Sequence, residues 1–132
     1  PEDIPSFDQQ SYDLLRVRNG IPESGVELIK NKTFILEVGF ERLAGVSFTK
    51  GCYVGQEVTA RMRHKTELQK GLVKVKLVGK ITENTSDIIC DNRIAGTIFT
   101  RVNEDAIAYL KFKYEKLPLN VGNAKIIDVE RF

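Results

Sequence analysis

Through the second half of the chain, apolar and charged side chains alternate. Leu72-Val73-Lys74-Val75-Lys76-Leu77-Val78 has the period of a strand with one face buried and the other in water. Residues 88–90, 94–102, 106–112 and 125–132 are rich in β-branched and aromatic side chains and predict further strands. Asp91-Asn92, Asn103-Glu104-Asp105, Leu117-Pro118 and Gly122-Asn123 separate them with turn-forming residues. Five short strands at this spacing predict a small antiparallel barrel or sandwich.

The first half follows a different period. Phe7, Ser11, Leu14 and Leu15 fall on one face of a helix, with Asp8, Gln10 and Asp13 off it. Ser6 is placed to cap that helix, with Gln9 three residues on as in a capping box. Gly20 stops it, and Ile21-Pro22 makes a turn. From residue 25 to 48 the pattern is mixed: 33–38 and 45–48 read as short strands, with Glu41-Arg42-Leu43 a turn or short helix between them. Residues 51–64 read as a second helix that carries Tyr53, Gln56, Glu57, Ala60, Arg61 and Met62. Glu57 and Arg61 form an i,i+4 pair in the favourable order, and His64 ends the helix where a cationic ring meets the negative end of the dipole. Near residues 65–70 a helix-containing segment gives way to a β module. The chain reads as α+β, with no internal repeat or low-complexity tract.

Composition adds bounds. The 132 residues are 42% hydrophobic and 29% charged, as in soluble globular proteins. No apolar run approaches a membrane span and no signal-peptide pattern opens the sequence. A first residue Pro1 in place of Met reads as an excised or processed piece. A net charge of +2 is too mild to argue nucleic-acid binding. Locally, Lys50, Arg61, Arg63, His64, Lys65 and Lys70 face only Glu57 and Glu67. That patch either receives an anionic ligand, such as a phosphate or polyglutamate tail, or is a solvated helix exit. Cys52 and Cys90, without a secretory signal, suggest a reducing intracellular compartment. One histidine and two cysteines fall short of the roughly four N or S ligands of a zinc site, so no metal held by this chain alone is expected.

The chemistry concentrates between Lys50 and Glu57. If Gly51 opens the second helix, Cys52 sits at the positive end of its dipole beside the Lys50 ammonium, and both favour thiolate. Gln56 then lies one turn on, on the same face as Cys52, and Tyr53 adds a ring with a polar tip. Gly51 and Gly55 leave a bare stripe for a backbone or flat ligand. The competing reading makes Cys52 a small buried hydrophobe and the glycines packing residues. Cys90 ends the apolar triplet Ile88-Ile89-Cys90 and reads as core.

The run Lys50-Gly51-Cys52-Tyr53-Val54-Gly55-Gln56-Glu57 resembles the signature of the YgfZ family of folate-binding proteins, relatives of glycine-cleavage T-protein, with every fixed position of Lys-Gly-Cys-Tyr-x-Gly-Gln-Glu present. The stretch from Asp13 to Leu28 is similar to a T-protein segment with a Leu-Arg pair and a Gly-x-Glu-Leu ending, and Glu37-Val38-Gly39-Phe40 to that superfamily's Glu-Ala-Gly-Leu turn. Residues 95–100 and 106–110 resemble its C-terminal barrel strands. The resemblance implies the end of a ferredoxin-like folate-binding module at residues 1–66 and a C-terminal β-barrel at 67–132, joined in the whole protein to a further N-terminal module. It implies tetrahydrofolate as ligand, at a site incomplete in this chain, with Arg16 and Glu27 at motif positions near the folate channel. Those two residues either contact pterin or glutamate tail or are ordinary solvated side chains; Glu37 reads as turn-stabilising.

For function, the resemblance implies an accessory factor for iron–sulfur cluster assembly or repair, serving enzymes that include tRNA modifiers. Its catalytic or cluster-handling thiol would be Cys52, at a motif completed by Lys50, Gly51, Tyr53, Gly55, Gln56 and Glu57. Partners implied are folate and iron–sulfur enzymes or assembly proteins, with no membrane or direct nucleic-acid binding. Location would be the cytoplasm, or the mitochondrial matrix in a eukaryote. One thiol cannot hold a cluster alone, so transient handling or a cluster shared with a partner is the most it allows. The alternatives are a tetrahydrofolate-dependent aminomethyltransferase of the T-protein type, whose chemistry does not require Cys52, and a module that only docks a partner.

Overall fold

Six strands close into an antiparallel barrel: β1 (Lys70–Val78), β2 (Asp87–Cys90), β3 (Arg93–Val102), β4 (Asp105–Lys111), β5 (Leu119–Val121) and β6 (Ala124–Arg131). This computed structural model describes residues 6–52, 54–64, 68–81 and 84–132. The order around the barrel is β1-β4-β3-β2-β5-β6, with β6 pairing back on β1. The alternation read from the sequence is the inside–outside alternation of the wall: Val73, Val75 and Leu77 point into the barrel, as do Ala106, Ala108 and Leu110 across the β1–β4 pair. Cys90 belongs to that core, 2% exposed. The barrel has one strand more than the sequence predicts, because β5 is only three residues long and follows Pro118 directly.

A second, smaller core lies on the outside of the barrel. Leu72, Val102 and Ile107 turn outward from β1, β3 and β4 and meet Val17 and Val38 from the first half of the chain. The first helix, α1 (Gln9–Asn19), packs there against β3 and β4. Its N-cap is Asp8, whose Oδ1 accepts a hydrogen bond from the Ser11 amide at 2.7 Å, so the cap is two residues later than Ser6. Gly20 closes the helix in the left-handed conformation, φ +62°, as the sequence predicts. The buried face differs from the predicted one. Phe7 and Leu15 are mostly exposed, whereas Arg16 and Val17 are buried with Leu14 partly covered.

Residues 29–45 run through successive turns and form no strands, although 33–38 and 45–48 carry strand-like composition. Their apolar residues are used differently: Leu36 and Val38 are pressed onto the barrel while Phe34 is nearly half exposed. The second helix, α2, runs Gln56–His64, ending where the sequence placed its end. Among the described residues no helix is long and apolar enough to cross a membrane.

Candidate functional site

Three constellations lie in or against the first half of the chain. The most deeply buried joins Arg16, Glu27 and Thr100. Arg16 is 4% exposed and Glu27 2%, so neither is the solvated side chain that one reading of the sequence allowed. Nη1 of Arg16 donates to Glu27 Oε2 at 3.1 Å and to the Ile21 carbonyl at 3.2 Å. Nη2 donates to Asp13 Oδ1 at 2.8 Å and to the Thr100 hydroxyl at 3.0 Å, and Thr100 in turn donates to Glu27 Oε1 at 2.5 Å. The Glu23 amide also donates to Glu27, at 2.9 Å. Helix α1, the loop after it and strand β3 are thereby tied by one charged knot. Burial works against the Arg16 charge, but the Asp13 hydrogen bond and the charges of Glu27, Glu23 and Asp13 outweigh it and raise the guanidinium pKa further. Hydrogen bonds from Arg16 and then Gln9 hold Asp13 below the usual carboxylate range.

The second constellation seats the turn segment. The Tyr109 hydroxyl donates to Glu37 Oε2 at 2.5 Å, and the Leu72 amide donates to the Glu37 carbonyl at 2.8 Å. Glu37 therefore does more than stabilise its own turn: it fastens the turn segment to β1 and β4. Burial, the bond to Glu37 and the Glu37 charge together push the Tyr109 phenol far above its usual pKa, so it remains a donor.

The third is the Lys50–Glu57 loop. Helix α2 begins at Gln56, so Cys52 lies four residues before it in irregular chain and not in its first turn. The cause is Gly55, whose φ of +84° is left-handed and interrupts a right-handed helix. Cys52 is exposed, which sets aside the reading of it as a buried hydrophobe. The helix-dipole argument for its thiolate and the shared face with Gln56 both fall with the later helix start. Gly51 and Gly55 likewise form no common stripe; space is open around both. Lys50, Val54 and Glu57 are exposed and Gln56 half-buried. Tyr53 lies outside the described residues, as do the side chains of Arg61, Arg63 and His64, and Lys65 and Glu67 entirely; the Glu57–Arg61 pair and most of the basic patch fall there. Lys70, the far end of that patch, sits over the Tyr109 ring at 5.9 Å.

The structure thus brings Arg16 and Glu27 together and leaves the Cys52 loop separate from them. Sequence reasoning missed Thr100 and Tyr109. Each lies more than 70 positions from its carboxylate partner, and only the outward strand register marks them as available to the first half of the chain.

Residues 69–128 match the family model of the CAF17 C-terminal β-barrel domain. The match covers the barrel strands nearly end to end. Over 74 residues the chain is 45% identical to the mitochondrial iron–sulfur cluster assembly factor IBA57 of Mus musculus, covering 56% of this chain and 21% of that relative. It is 40% identical over 73 residues to the mitochondrial IBA57 homolog of Neosartorya fischeri, covering 55% and 16% respectively. The homolog of Yarrowia lipolytica is 38% identical over 74 residues, 56% of this chain and 15% of the relative. The matched stretch is about a fifth or less of these relatives' length.

Proposed function

We propose that this chain is part of a YgfZ-type folate-binding protein that supports iron–sulfur cluster assembly or repair, tRNA-modifying iron–sulfur enzymes among its clients. Cys52 is its working thiol, and in a eukaryote the mitochondrial matrix is its place. The observation that carries this reading is the exposure of Cys52 in an irregular loop, within a complete Lys-Gly-Cys-Tyr-x-Gly-Gln-Glu run. The iron–sulfur assembly factors to which the chain is similar support the same direction.

An exposed thiol in an irregular loop can reach a partner's cluster or thiol. With one cysteine at the surface, it acts as one ligand of a shared cluster or as a transient acceptor, since clusters generally take four ligands. The barrel serves as a rigid base for the turn segment that leads to the loop.

Tetrahydrofolate is part of this reading, with Arg16 and Glu27 near its channel. Both terminal nitrogens of Arg16 and both oxygens of Glu27 are committed to partners within the chain. The Nε of Arg16 is buried without a partner among the described residues, and a pterin or glutamate tail reaching the pair through it would leave the knot in place.

The test is Cys52→Ala in the native gene, reading iron–sulfur enzyme activity at matched protein level. The expected result is loss of that activity with the protein still present and folded. Activity like that of the wild type would overturn the role of the thiol. Tetrahydrofolate titration of the purified protein separates the folate element, which fails alone if no saturable binding is found. Folate-dependent turnover of an aminomethyl donor, insensitive to Cys52→Ala, would favour the transferase instead.

A further inference from the structure

A pocket of about 320 Å3 opens between the turn segment and the outside of the barrel. It is at the lower end of the range for small-ligand sites, about 300–1,000 Å3. Leu36, Leu72, Phe112 and Phe132 form its apolar walls, and Glu37 and Arg42 its polar ones.

The two charged groups differ in exposure: Glu37 is buried, whereas Arg42 is exposed at the rim. Glu37 is 8% exposed, and its one side-chain hydrogen bond is the phenol of Tyr109 on Oε2, which leaves Oε1 without a donor among the described residues. A carboxylate this buried ordinarily has a cationic partner or a full set of donors. Arg42, at the rim, donates only to the backbone carbonyls of Asn19 (3.1 Å) and Gly20 (2.7 Å), with its guanidinium over the Phe132 ring at 5.3 Å, and has no carboxylate partner among the described residues. The two do not pair with each other. Arg131, also on the wall, is held bidentately by Glu115 at 2.8 and 3.0 Å.

A pocket with a carboxylate short of donors, a guanidinium without a carboxylate partner and apolar walls beside them is complementary to a small zwitterion with an apolar side chain. We propose that it binds a free α-amino acid with an apolar side chain. The ammonium goes to Glu37, the carboxylate to Arg42, and the side chain lies against Phe112 and Leu72. No bond is made or broken, and the site is independent of Cys52 and of the iron–sulfur reading.

The experiment is calorimetric titration of the purified protein with L-leucine, and in parallel with isoamylamine and 4-methylpentanoate, which each keep one charged end. The expected result is saturable binding of leucine with Kd below about 10 mM, and each half-ligand weaker by about tenfold or more. Glu37→Gln keeps an acceptor for Tyr109 while removing the charge, and should weaken leucine about tenfold with little change for 4-methylpentanoate. Absence of leucine binding overturns the proposal. So does a half-ligand that binds as well as leucine, and so does an unchanged affinity in a folded Glu37→Gln protein. Should Glu37→Gln not fold, the three ligands on the wild-type protein decide alone.

Discussion

The barrel and the segment before it are built by opposite means. The barrel is a dry apolar core inside a closed ladder, in which Leu77, Ile88, Leu110 and Leu119 are at most 1% exposed. The preceding segment has one helix that buries an arginine, a run of turns and a short second helix, and it leaves Phe7, Leu15, Phe34 and Val54 in solvent. It is held to the barrel by a thin apolar seam and by charged and polar knots, Arg16–Glu27–Thr100 and Glu37–Tyr109. A closed ladder tolerates little local change, whereas knots fail one at a time. The reactive candidate, Cys52, lies in the looser region, and the inert thiol, Cys90, in the tighter one.

Substitutions can break this contrast at either side. The largest effect is expected at Gly96, where an added Cβ would stand 2.0 Å from the Tyr109 carbonyl oxygen and 3.0 Å from Leu110 Cα. Gly96→Ala should cost more than about 4 kcal/mol and abolish cooperative unfolding seen by circular dichroism. A folded Gly96→Ala protein of near wild-type stability would contradict the closed β3–β4 pairing.

Next comes the buried knot. Glu27→Ala should cost about 1–3 kcal/mol, because it removes the most buried carboxylate from Arg16 and the acceptor of Thr100 and the Glu23 amide, while Asp13 and Glu23 still face the guanidinium. The Arg16→Leu/Glu27→Leu double variant should cost less than Glu27→Ala alone, by urea denaturation. The reverse order would mean that the pair is more exposed than its geometry indicates.

Glu115 with Arg131 is the surface counterpart. Arg131 is about half exposed, its guanidinium stacked 3.8 Å over the Phe112 ring, so Arg131→Gln should cost about 1 kcal/mol, of which the ion-pair part is lost at high salt. Acid sharpens the same distinction. Asp13 and Glu115 have folded-state pKa values below their ordinary ones, each chiefly through a hydrogen bond from its arginine. Their stabilisation is complete above the usual carboxylate range and is lost as pH falls through it towards the folded values. The urea midpoint should therefore drop between pH 7 and pH 3, and Asp13→Asn should flatten part of that drop.

Much of the barrel was legible because strand alternation is a local signal. Val73, Val75 and Leu77 announce their side of the wall by themselves. The three-residue β5 carries too few positions to show a period. The turn segment misled for a physical reason: Val38 is apolar because it covers the barrel's outer face, with Leu36 buried beside it, and not because they pair in a sheet. Gly55 was visible, but its left-handed backbone was not, and that conformation is what moves the start of α2 past Cys52. The charged knots were least legible, since Arg16 and Thr100 meet across 84 positions with no local pattern to connect them.

The most direct test of the account is alkylation of the two cysteines in one folded sample, followed by mass spectrometry near neutral pH. Cys52 should label promptly, and Cys90 only as the barrel unfolds, with its rate rising with urea in step with global unfolding. Labelling of both cysteines at one slow rate would contradict the division between a reactive loop and an inert barrel.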